Sequence, residues 1–381
     1  MNAPASLPPG PPERRGPLDA LPYYYRFFRD SIGAVEERFD RYGDIYYAPS
    51  DGVGLYVLKH PDHLHDVLAK RAADFGKTHT AFTQLEDFVG RGLLLTDGEE
   101  WRRQRRLVNP AFAKKRLVDY AAMMVDEAAR ATATWYPGQV RDMSREMMEL
   151  TLRIVCRTLF SHDVTRQSDR VAHAMEAFRE ALLRPRFLPR WVPFLGEDRS
   201  FRARDELDGI LMSLVEARRR SPERAPDPPD LLQMLVTAED GEGGGGLQDR
   251  EIRDQLLTLF IAGHETTSHA LSWTLYLLAK HPEQEAKLHA ELDRVLDGRP
   301  PRYDDLAALP FTRWCFEEAM RLYPPAYTLA RRAERDTKIG DYAVAAGSEV
   351  VMWIWHTHRD PKWWPEPTLF RPERFSPRES A

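Results

Sequence analysis

The chain has 381 residues, of which 43% are hydrophobic and 30% charged, a balance typical of a soluble globular protein and not of a disordered or fibrous one. Its formal net charge of −5 gives no general basic field for a phosphate backbone, so we expect no nucleic-acid partner. Cys156 and Cys315 lie far apart in apolar surroundings and form no metal-binding or disulfide spacing, which favours a reducing, cytoplasmic location.

The N-terminal segment is rich in proline, and it contains no apolar run of the kind that a signal peptide or an anchor needs. We interpret residues 1–20 as a flexible leader. The remainder, residues 21–381, is interpreted as a single domain without internal repeats.

Short elements are predicted at both ends of this domain. Residues 30–42 predict a helix that ends at Gly43. The apolar runs 45–47 and 55–58 flank a turn, which is typical of a β-hairpin. Residues 338–355 return to short strands, so a small β region is expected near the N-terminus and again at 338–355.

Apolar residues recur at helical spacing from about residue 61 to residue 261, which predicts a large helical region. Residues 185–195 interrupt it with three prolines among large apolar side chains. Such a connection could line an entrance, touch a membrane surface or pack as a loop on the core, and these alternatives stay open. The glycine-rich stretch 238–247 predicts a flexible linker and lacks the Lys-Ser/Thr of a phosphate-binding loop.

Residues 248–281 can form one long central helix, about 50 Å in length at 1.5 Å per residue, which Pro282 ends. His264, Glu265 and His269 interrupt its apolar stretch at positions that a lipid-exposed span would not tolerate. We therefore expect a buried helix and no transmembrane anchor.

The centre of this helix carries the sequence Ala262-Gly263-His264-Glu265-Thr266. The small pair Ala262-Gly263 admits a large flat group close to the backbone, and Gly263 costs about 1 kcal/mol in a helix interior unless packing or function compensates. Glu265 and Thr266 place an acid and a hydroxyl where the helix is expected to be buried. The hydroxyl can bond a carbonyl one turn back and the acid can relay protons, although a purely structural role is equally open.

His264-Glu265 and His269 resemble the zinc-binding helix of a metalloprotease. That motif needs histidines four residues apart, whereas these lie five apart and about 140° around the helix from each other, which excludes it. His356 and His358 alternate along a predicted strand end, but no third ligand is apparent.

Two further clusters combine charge with helical spacing. Glu318 and Arg321 share a helix face, where an exposed pair contributes only a few tenths of a kcal/mol, and Arg374 could complete a network with them. Trp101 and Arg105 share another face and can bind an anion. A solvated basic face is the alternative for any one of these arginines.

The ordered set Trp-x-x-x-Arg, Ala-Gly-x-Glu-Thr-Thr, Glu-x-x-Arg, His-Arg-Asp-Pro and Pro-Glu-Arg-Phe resembles the bacterial, soluble cytochrome P450 family of heme-thiolate monooxygenases over roughly residues 21–377. The resemblance implies a mainly α cytochrome P450 fold, heme b as cofactor, O2 and an apolar small molecule as substrates, and a separate ferredoxin- or flavoprotein-type electron-transfer partner. An apolar substrate also agrees with the large side chains that would cap the pocket, namely Phe82, Phe88, Leu93 and Leu94.

Residue by residue, the resemblance implies that Glu265 and Thr266 deliver protons to dioxygen at the heme. It implies that Ala262 and Gly263 form the groove above the heme face.

The resemblance implies that the remaining matched positions either bind the heme or stabilise the fold. Trp101 and Arg105 match positions that hold one heme propionate, and Arg331 matches the other propionate ligand. His358 is implied to have a structural role and a contact to a propionate. The residues that match the family's structural triad are Glu318, Arg321 and Arg374.

One departure from the family pattern concerns the iron ligand. No Phe-x-x-Gly-x-x-x-Cys-x-Gly loop, whose thiolate binds the iron, follows Pro-Glu-Arg-Phe in these residues. Cys156 and Cys315 fall within predicted helices and are interpreted as small core residues. We therefore expect a chain that is incomplete at its C-terminus, has no axial metal ligand of its own and is inactive as given. The alternative is a degenerate, heme-free relative that acts as a binding or scaffold protein.

We expect the coding DNA downstream of Ala381 to contain the missing Cys loop, in the same frame or another one, because the heme-pocket positions upstream are intact. Sequencing the genomic DNA for several hundred bases beyond this codon checks the expectation. Absence of the motif from every frame would favour the scaffold alternative.

Overall fold

The computed structural model describes residues 6–12, 17–50, 53–77, 86, 88–161, 197–227, 229–240 and 245–377. The chain divides into two compact units, one formed by residues 1–80 and 321–369 and the other by residues 81–320 and 370–381. The single domain predicted for residues 21–381 stays a prediction. The proline-rich connection 185–195 and Phe82 lie outside the described residues.

Helices make up most of the described chain. In chain order they are α1 (Pro17–Arg29), α2 (Ser31–Tyr42), α3 (Pro61–His65), α4 (Gly98–Val108), α5 (Lys114–Thr132), α6 (Met143–Phe160), α7 (Glu197–Arg220), α8 (Leu231–Val236), α9 (Asp249–Lys280), α10 (Pro282–Leu296), α11 (Pro310–Leu322) and α12 (Ile354–Thr357). The strands are β1 (Ile45–Ser50), β2 (Val53–Leu58), β3 (Phe75–Gly76), β4 (Glu239–Asp240), β5 (Gly245–Gly246), β6 (Leu329–Ala333), β7 (Thr337–Ile339), β8 (Tyr342–Val344) and β9 (Glu349–Met352).

A five-stranded sheet organises the first unit, in the order β1-β2-β9-β6-β3. Strands β1 and β2 pair antiparallel with Ile45 opposite Leu58, so the predicted hairpin is confirmed. Strand β9 joins β2 in parallel, and its alternating side chains Val350 and Met352 are fully buried, as expected for a strand with one face on the core. Strands β7 and β8 form a separate hairpin within the predicted β region. Strand β6 was not predicted, because its sequence Leu-Ala-Arg-Arg-Ala lacks a clean alternation of apolar and polar residues.

Helix α2 confirms the helix predicted over residues 30–42. Its first turn is capped by Asp30, whose carboxylate accepts the Gly33 N–H at 2.9 Å. It ends at Gly43, which adopts a φ of 93° that glycine reaches without steric penalty.

The described part of the predicted leader, residues 1–20, contacts the sheet, and the flexibility of the leader stays a prediction. Tyr47 N donates to Pro9 O at 3.0 Å, and a Cβ atom on Gly10 would lie 1.7 Å from Tyr47 O. Strand β1 is the edge of the sheet, so its outward N–H needs an acceptor, and the proline-rich segment supplies one. Helix α1 then begins at Pro17.

The second unit is built around helix α9, and the helix predicted over residues 248–281 is confirmed as Asp249–Lys280. Its 32 residues span about 48 Å, and Gln248 and Glu251 form a capping box at its start. Helix α9 packs on α6 and α7 through fully buried side chains such as Ile252, Leu256 and Leu257. Among the described residues, no helix combines the length and the apolarity that a membrane crossing requires.

Two further sequence expectations are corrected. The predicted linker at 238–247 contains strands β4 and β5, which pair with Glu239 opposite Gly246, and Arg103 donates to Gly246 O at 3.0 Å. The predicted strand end near His356 and His358 is helix α12, with His358 as its C-cap. A single helical turn is too short to produce a detectable apolar period, so the sequence could not distinguish it from a strand.

Candidate active site

Helix α9 presents two different faces at its centre. His264 and Ser268 are buried, at 2% and 0% exposure, whereas Ala262 and Thr266 are exposed and Glu265 is half-buried. The expectation that the acid and the hydroxyl are buried is therefore wrong for Thr266. With 3.6 residues per turn, a helix that buries positions 264 and 268 turns positions 262 and 266 to the opposite side.

The Thr266 hydroxyl bonds the helix backbone as predicted. Its Oγ1 donates to Ala262 O at 2.5 Å, one turn back, and helix α9 nevertheless continues to Lys280. Because the hydroxyl hydrogen is used in this bond, the oxygen lone pairs stay available to a donor on the exposed face.

Gly263 is not required by packing within its unit. A Cβ atom at this position would lie 3.5 Å from Val155 Cγ2, which is an ordinary contact. The roughly 1 kcal/mol that glycine costs in a helix interior is therefore not explained by crowding inside the protein. This observation favours the functional interpretation of the small pair Ala262-Gly263.

A segment that the sequence did not reveal, residues 90–96, lies against the N-terminal half of α9. Arg91 N donates to Asp254 Oδ2 at 2.8 Å, and Leu93 N donates to Gln255 Oε1 at 3.0 Å. Gly90 has a φ of 75°, and a Cβ atom there would lie 2.2 Å from Asp254 Oδ1. The sequence offers only two signals of this contact. One is the close spacing of Gly90 and Gly92, and the other is the polar pair Asp254-Gln255 inside an apolar helix.

Trp101 and Arg105 lie one turn apart on helix α4, as predicted. Trp101 is half-buried and Arg105 is exposed. The helix is fixed by neighbouring residues, since Arg103 forms a 2.6 Å ion pair with Glu251 and Gln104 Nε2 donates to Arg91 O at 2.9 Å. Arg105 can therefore meet an anion from a fixed position.

The structure brings Glu318 and Arg374 together in the second unit. Arg374 Nε lies 3.1 Å from Glu318 Oε1, which also accepts the Arg371 N–H at 3.0 Å. Glu318 is 0% exposed and Arg374 is 6% exposed. The exposure expected for Glu318 and Arg321 is corrected, because Arg321 is 2% exposed. The burial of Glu318 could not be predicted from the sequence, because it depends on a segment that lies more than fifty residues further along the chain.

Arg321, three residues after Glu318, binds backbone carbonyls within the first unit. Its guanidinium donates to His358 O at 2.7 Å and to Pro367 O at 2.8 Å, and it is 2% exposed. The backbone carbonyl of His358 therefore has a structural role, since it accepts the hydrogen bond from Arg321. Arg331 lies on strand β6 opposite Val350, is half-buried and donates to Ala330 O at 2.8 Å.

Comparison with known proteins decides the family. The Cytochrome P450 family profile matches residues 11–381. Over 340 residues the chain is 34% identical to cyclooctat-9-en-7-ol 5-monooxygenase of Streptomyces melanosporofaciens, which covers 88% of this chain and 73% of the relative. It is 34% identical to pentalenene oxygenase of Streptomyces avermitilis over 88% of this chain and 75% of the relative. The chain belongs to the cytochrome P450 family.

Membership confirms the predicted fold class, a mainly α cytochrome P450 fold with a small β region, and makes the chain an oxidoreductase by family. The predicted cofactor class is confirmed as well, because cytochromes P450 use heme b. The second unit fits one face of such a group, since α9 exposes Ala262 and carries Gly263 without crowding.

The cysteines of this cytochrome P450 chain do not fit the role of axial ligand. Cys156 and Cys315 are 1% and 0% exposed and lie inside helices α6 and α11, as predicted for core residues. Burial raises the pKa of each thiol to about 12, so both are protonated near neutral pH. The thiolate is the form that binds metal, and neither side chain offers it.

The buried Glu318–Arg374 pair predicts that Glu318 and its neighbour Glu317 contribute very differently to the free energy of unfolding. Glu318→Ala should lower the free energy of unfolding by about 3–5 kcal/mol, because it leaves the Arg374 guanidinium buried without its counter-ion. Urea unfolding followed by circular dichroism measures the change. The matched control is Glu317→Ala, whose carboxylate lies 3.6 Å from Arg313 at a more exposed position and should cost no more than about 1 kcal/mol. Equal losses for the two variants would contradict the assignment.

The buried thiols predict resistance to alkylation. In the folded chain at pH 8, iodoacetamide should modify neither Cys156 nor Cys315, because each thiol is inaccessible and its pKa is about 12. Both should react fully in guanidinium chloride, as measured by intact-mass spectrometry. Rapid labelling of either cysteine in the folded chain would show that a reactive thiolate exists.

Proposed function

We propose that this cytochrome P450 chain forms the body of a heme-dependent monooxygenase that inserts one atom of O2 into an apolar cyclic terpenoid. The observation that carries the proposal is the exposed face of α9, where Thr266 is held by its bond to Ala262 O beside the half-buried Glu265. The substrate class is supported by two relatives whose names specify cyclooctat-9-en-7-ol and pentalenene as the compounds that they oxidise.

Proton delivery is assigned to Glu265 and Thr266. When bound, heme b supplies the activation of O2, and one oxygen atom leaves as water, which requires protons at the heme face. Thr266 Oγ1 donates its own hydrogen to Ala262 O, so its lone pairs accept a hydrogen bond from a donor at that face. The Glu265 carboxyl, half-buried on the adjacent residue, is assigned the role of general acid.

The heme propionates are assigned to the residues that match the family's propionate positions. Trp101 and Arg105 are the proposed partners of one propionate, and Arg331 that of the other, with His358 as a further contact. Arginine suits this role because its planar guanidinium binds a carboxylate through parallel N–H donors. Electrons are proposed to come from a separate ferredoxin or flavoprotein, and the protein is proposed to work in the cytoplasm.

Catalysis accounts for more of the structure than a heme-free scaffold role does. A scaffold needs the buried Glu318–Arg374 pair but has no use for an uncrowded Gly263 or for an exposed threonine held at 2.5 Å on the helix backbone. We therefore favour the monooxygenase.

Thr266→Ala tests the proton-delivery assignment in the heme-loaded enzyme. Substrate affinity should stay within about twofold, while the product formed per electron consumed should fall by at least about tenfold and peroxide should rise, because general acid catalysis typically contributes 10²–10⁴-fold. Product, peroxide and NADPH consumption are measured together.

The control is Ser272→Ala on the same helix. The Ser272 hydroxyl also bonds a carbonyl one turn back, Ser268 O at 2.7 Å, but lies six residues beyond Thr266. This variant should couple electrons to product as well as the parent does. If Thr266→Ala is equally well coupled, the threonine does not deliver protons.

A further inference from the structure

Two polar side chains lie inside the contact between helices α6 and α9. His264 is 2% exposed and Ser268 is 0% exposed, and they lie one turn apart on the buried face of α9. The neighbouring part of this contact is apolar, with Leu152, Val155 and Phe260 among its buried side chains. Because apolar side chains would occupy the two positions without losing hydration, the polar ones require an explanation.

Both polar side chains contact the same residue of α6. His264 Nε2 lies 3.2 Å from Met148 O, and because a carbonyl oxygen can only accept, this ring nitrogen carries the hydrogen. Ser268 Oγ donates to Glu265 O at 2.8 Å and lies 3.5 Å from Met148 Sδ. Met148 is therefore the residue of α6 to which the centre of α9 is joined by directional contacts.

Stacking fixes the plane of the His264 ring as well. The ring lies on that of Phe260, with 5.9 Å between the centroids and 27° between the planes. Phe260 is 2% exposed and belongs to the same apolar cluster as Val155 on α6. The orientation of the imidazole is thus determined both by an aromatic neighbour and by its hydrogen bond to α6.

A hydrogen bond fixes what apolar packing leaves adjustable. Apolar burial is non-directional, so two helices that pack only through aliphatic side chains can rotate or slide slightly with little change in buried area. An N–H···O bond weakens steeply once its angle falls below about 120°, so it selects one rotation and one axial position. Buried polar side chains fix the register of coiled-coil helices in the same way, at a cost in stability.

The contact with Met148 lies at the level of the proposed proton-delivery residues. His264 precedes Glu265 by one residue, which is about 1.5 Å along the helix axis, and precedes Thr266 by two. At 100° per residue, Thr266 points about 160° away from His264. Any rotation of α9 on α6 therefore moves Thr266 by the same angle, whereas a catalytic group tolerates only about 10–20°.

We propose that His264 is the positioning residue of the candidate site. Its hydrogen bond to Met148 O fixes the rotation and the axial position of the centre of α9, and thereby the places of Glu265 and Thr266. His264 lies on the opposite side of the helix from Thr266, so it is not itself a catalytic residue. This inference rests on the proposed monooxygenase function.

The role of His264 concerns geometry and not stability. Its ring loses hydration in apolar surroundings and gains one hydrogen bond, which contributes little net stabilisation. Met148 O, as a carbonyl inside helix α6, keeps its bond to the N–H four residues further along when His264 is replaced. His264→Leu should therefore leave the thermal unfolding midpoint unchanged or raise it, even though it removes the directional contact.

The first test measures the position of α9 on α6 with spin labels and needs no heme. Cysteines are introduced at the exposed residues Arg145 on α6 and Thr267 on α9, and the native thiols Cys156 and Cys315 are buried and stay unlabelled. Electron paramagnetic resonance then gives the distribution of distances between the labels. In His264→Leu this distribution should shift or broaden by about 1 Å or more, beyond the tolerance of about 0.5 Å for a catalytic group.

The conservative variant His264→Gln should restore the distance distribution of the parent protein. The glutamine amide offers an N–H donor at the end of a side chain of similar length, so it can bond Met148 O. A residue that only fills space would behave alike as leucine and as glutamine. The difference between the two variants thus separates positioning from packing.

The second test measures coupling in the heme-loaded enzyme. His264→Leu should lower the product formed per electron by about tenfold or more and raise peroxide, because a displacement of 1 Å can cost about 10²-fold in rate. KM should stay within about twofold, since the substitution is on the buried face of α9. His264→Gln should recover most of the coupling.

Thr158→Val is the matched control for stability. The Thr158 hydroxyl is buried in α6 and donates to Ile154 O at 2.9 Å, within its own helix. This variant should lower the thermal midpoint and leave both the label distances and the coupling unchanged. The inference is overturned if His264→Leu keeps the parent distance distribution, if leucine and glutamine alter it equally, or if His264→Leu lowers the midpoint as much as Thr158→Val does.

Failure of this inference can be distinguished from failure of the proposed function. If Thr266→Ala uncouples the enzyme and His264→Leu does not, only the positioning role of His264 is wrong. If Thr266→Ala itself stays fully coupled, the proposed proton delivery is wrong, and the positioning of a catalytic group by His264 is overturned with it, whatever the label distances show.

Discussion

Burial of the N-terminal half of helix α9 is the constraint on which the second unit depends. The side chains of Ile252, Leu256 and Leu257 leave water completely, and each contributes on the order of 1.5–3 kcal/mol in the contact with α6 and α7. A helix packed in this way has a fixed rotation about its axis. At its centre His264 and Ser268 are buried and Ala262 and Thr266 lie on the other side, so the geometry of the candidate site follows from that rotation.

Sequence reasoning succeeded where the signal is local. The ends of α9 were predicted to within one residue, because an apolar period of 3.6 leads up to Pro282. The end of α2 followed from Gly43, and the first hairpin followed from apolar runs on either side of a turn. The back-bond of Thr266 was also predictable, since it joins atoms only four residues apart.

Features that depend on distant segments could not be predicted in this way. The N-terminal proline-rich stretch lies along strand β1 because an edge strand has outward N–H groups, and nothing in the stretch itself indicates this. The cover that Gly90 and Gly92 provide over α9 joins positions about 160 residues apart in sequence. Within the candidate site, the residues of the catalytic cluster could be identified from the sequence. The exposure of Thr266 and the burial of Glu318 could be determined only from the structure.

Two pairs of buried polar side chains in the second unit differ in how their hydrogen-bonding atoms are satisfied. Glu318 and Arg374 lose their hydration but satisfy each other, with a backbone N–H completing the carboxylate, so their burial is explained within the protein. Gln255 and Thr258 lose their hydration on a helix that offers apolar alternatives, and two of their atoms gain nothing in return. A fold selected for stability alone would replace them by leucine and valine, because an unpaired buried donor costs about 1–3 kcal/mol. Both side chains lie under Gly92 and Leu93, where the Leu93 N–H bonds Gln255 Oε1 and one polar atom of each side chain stays without a partner among the described residues.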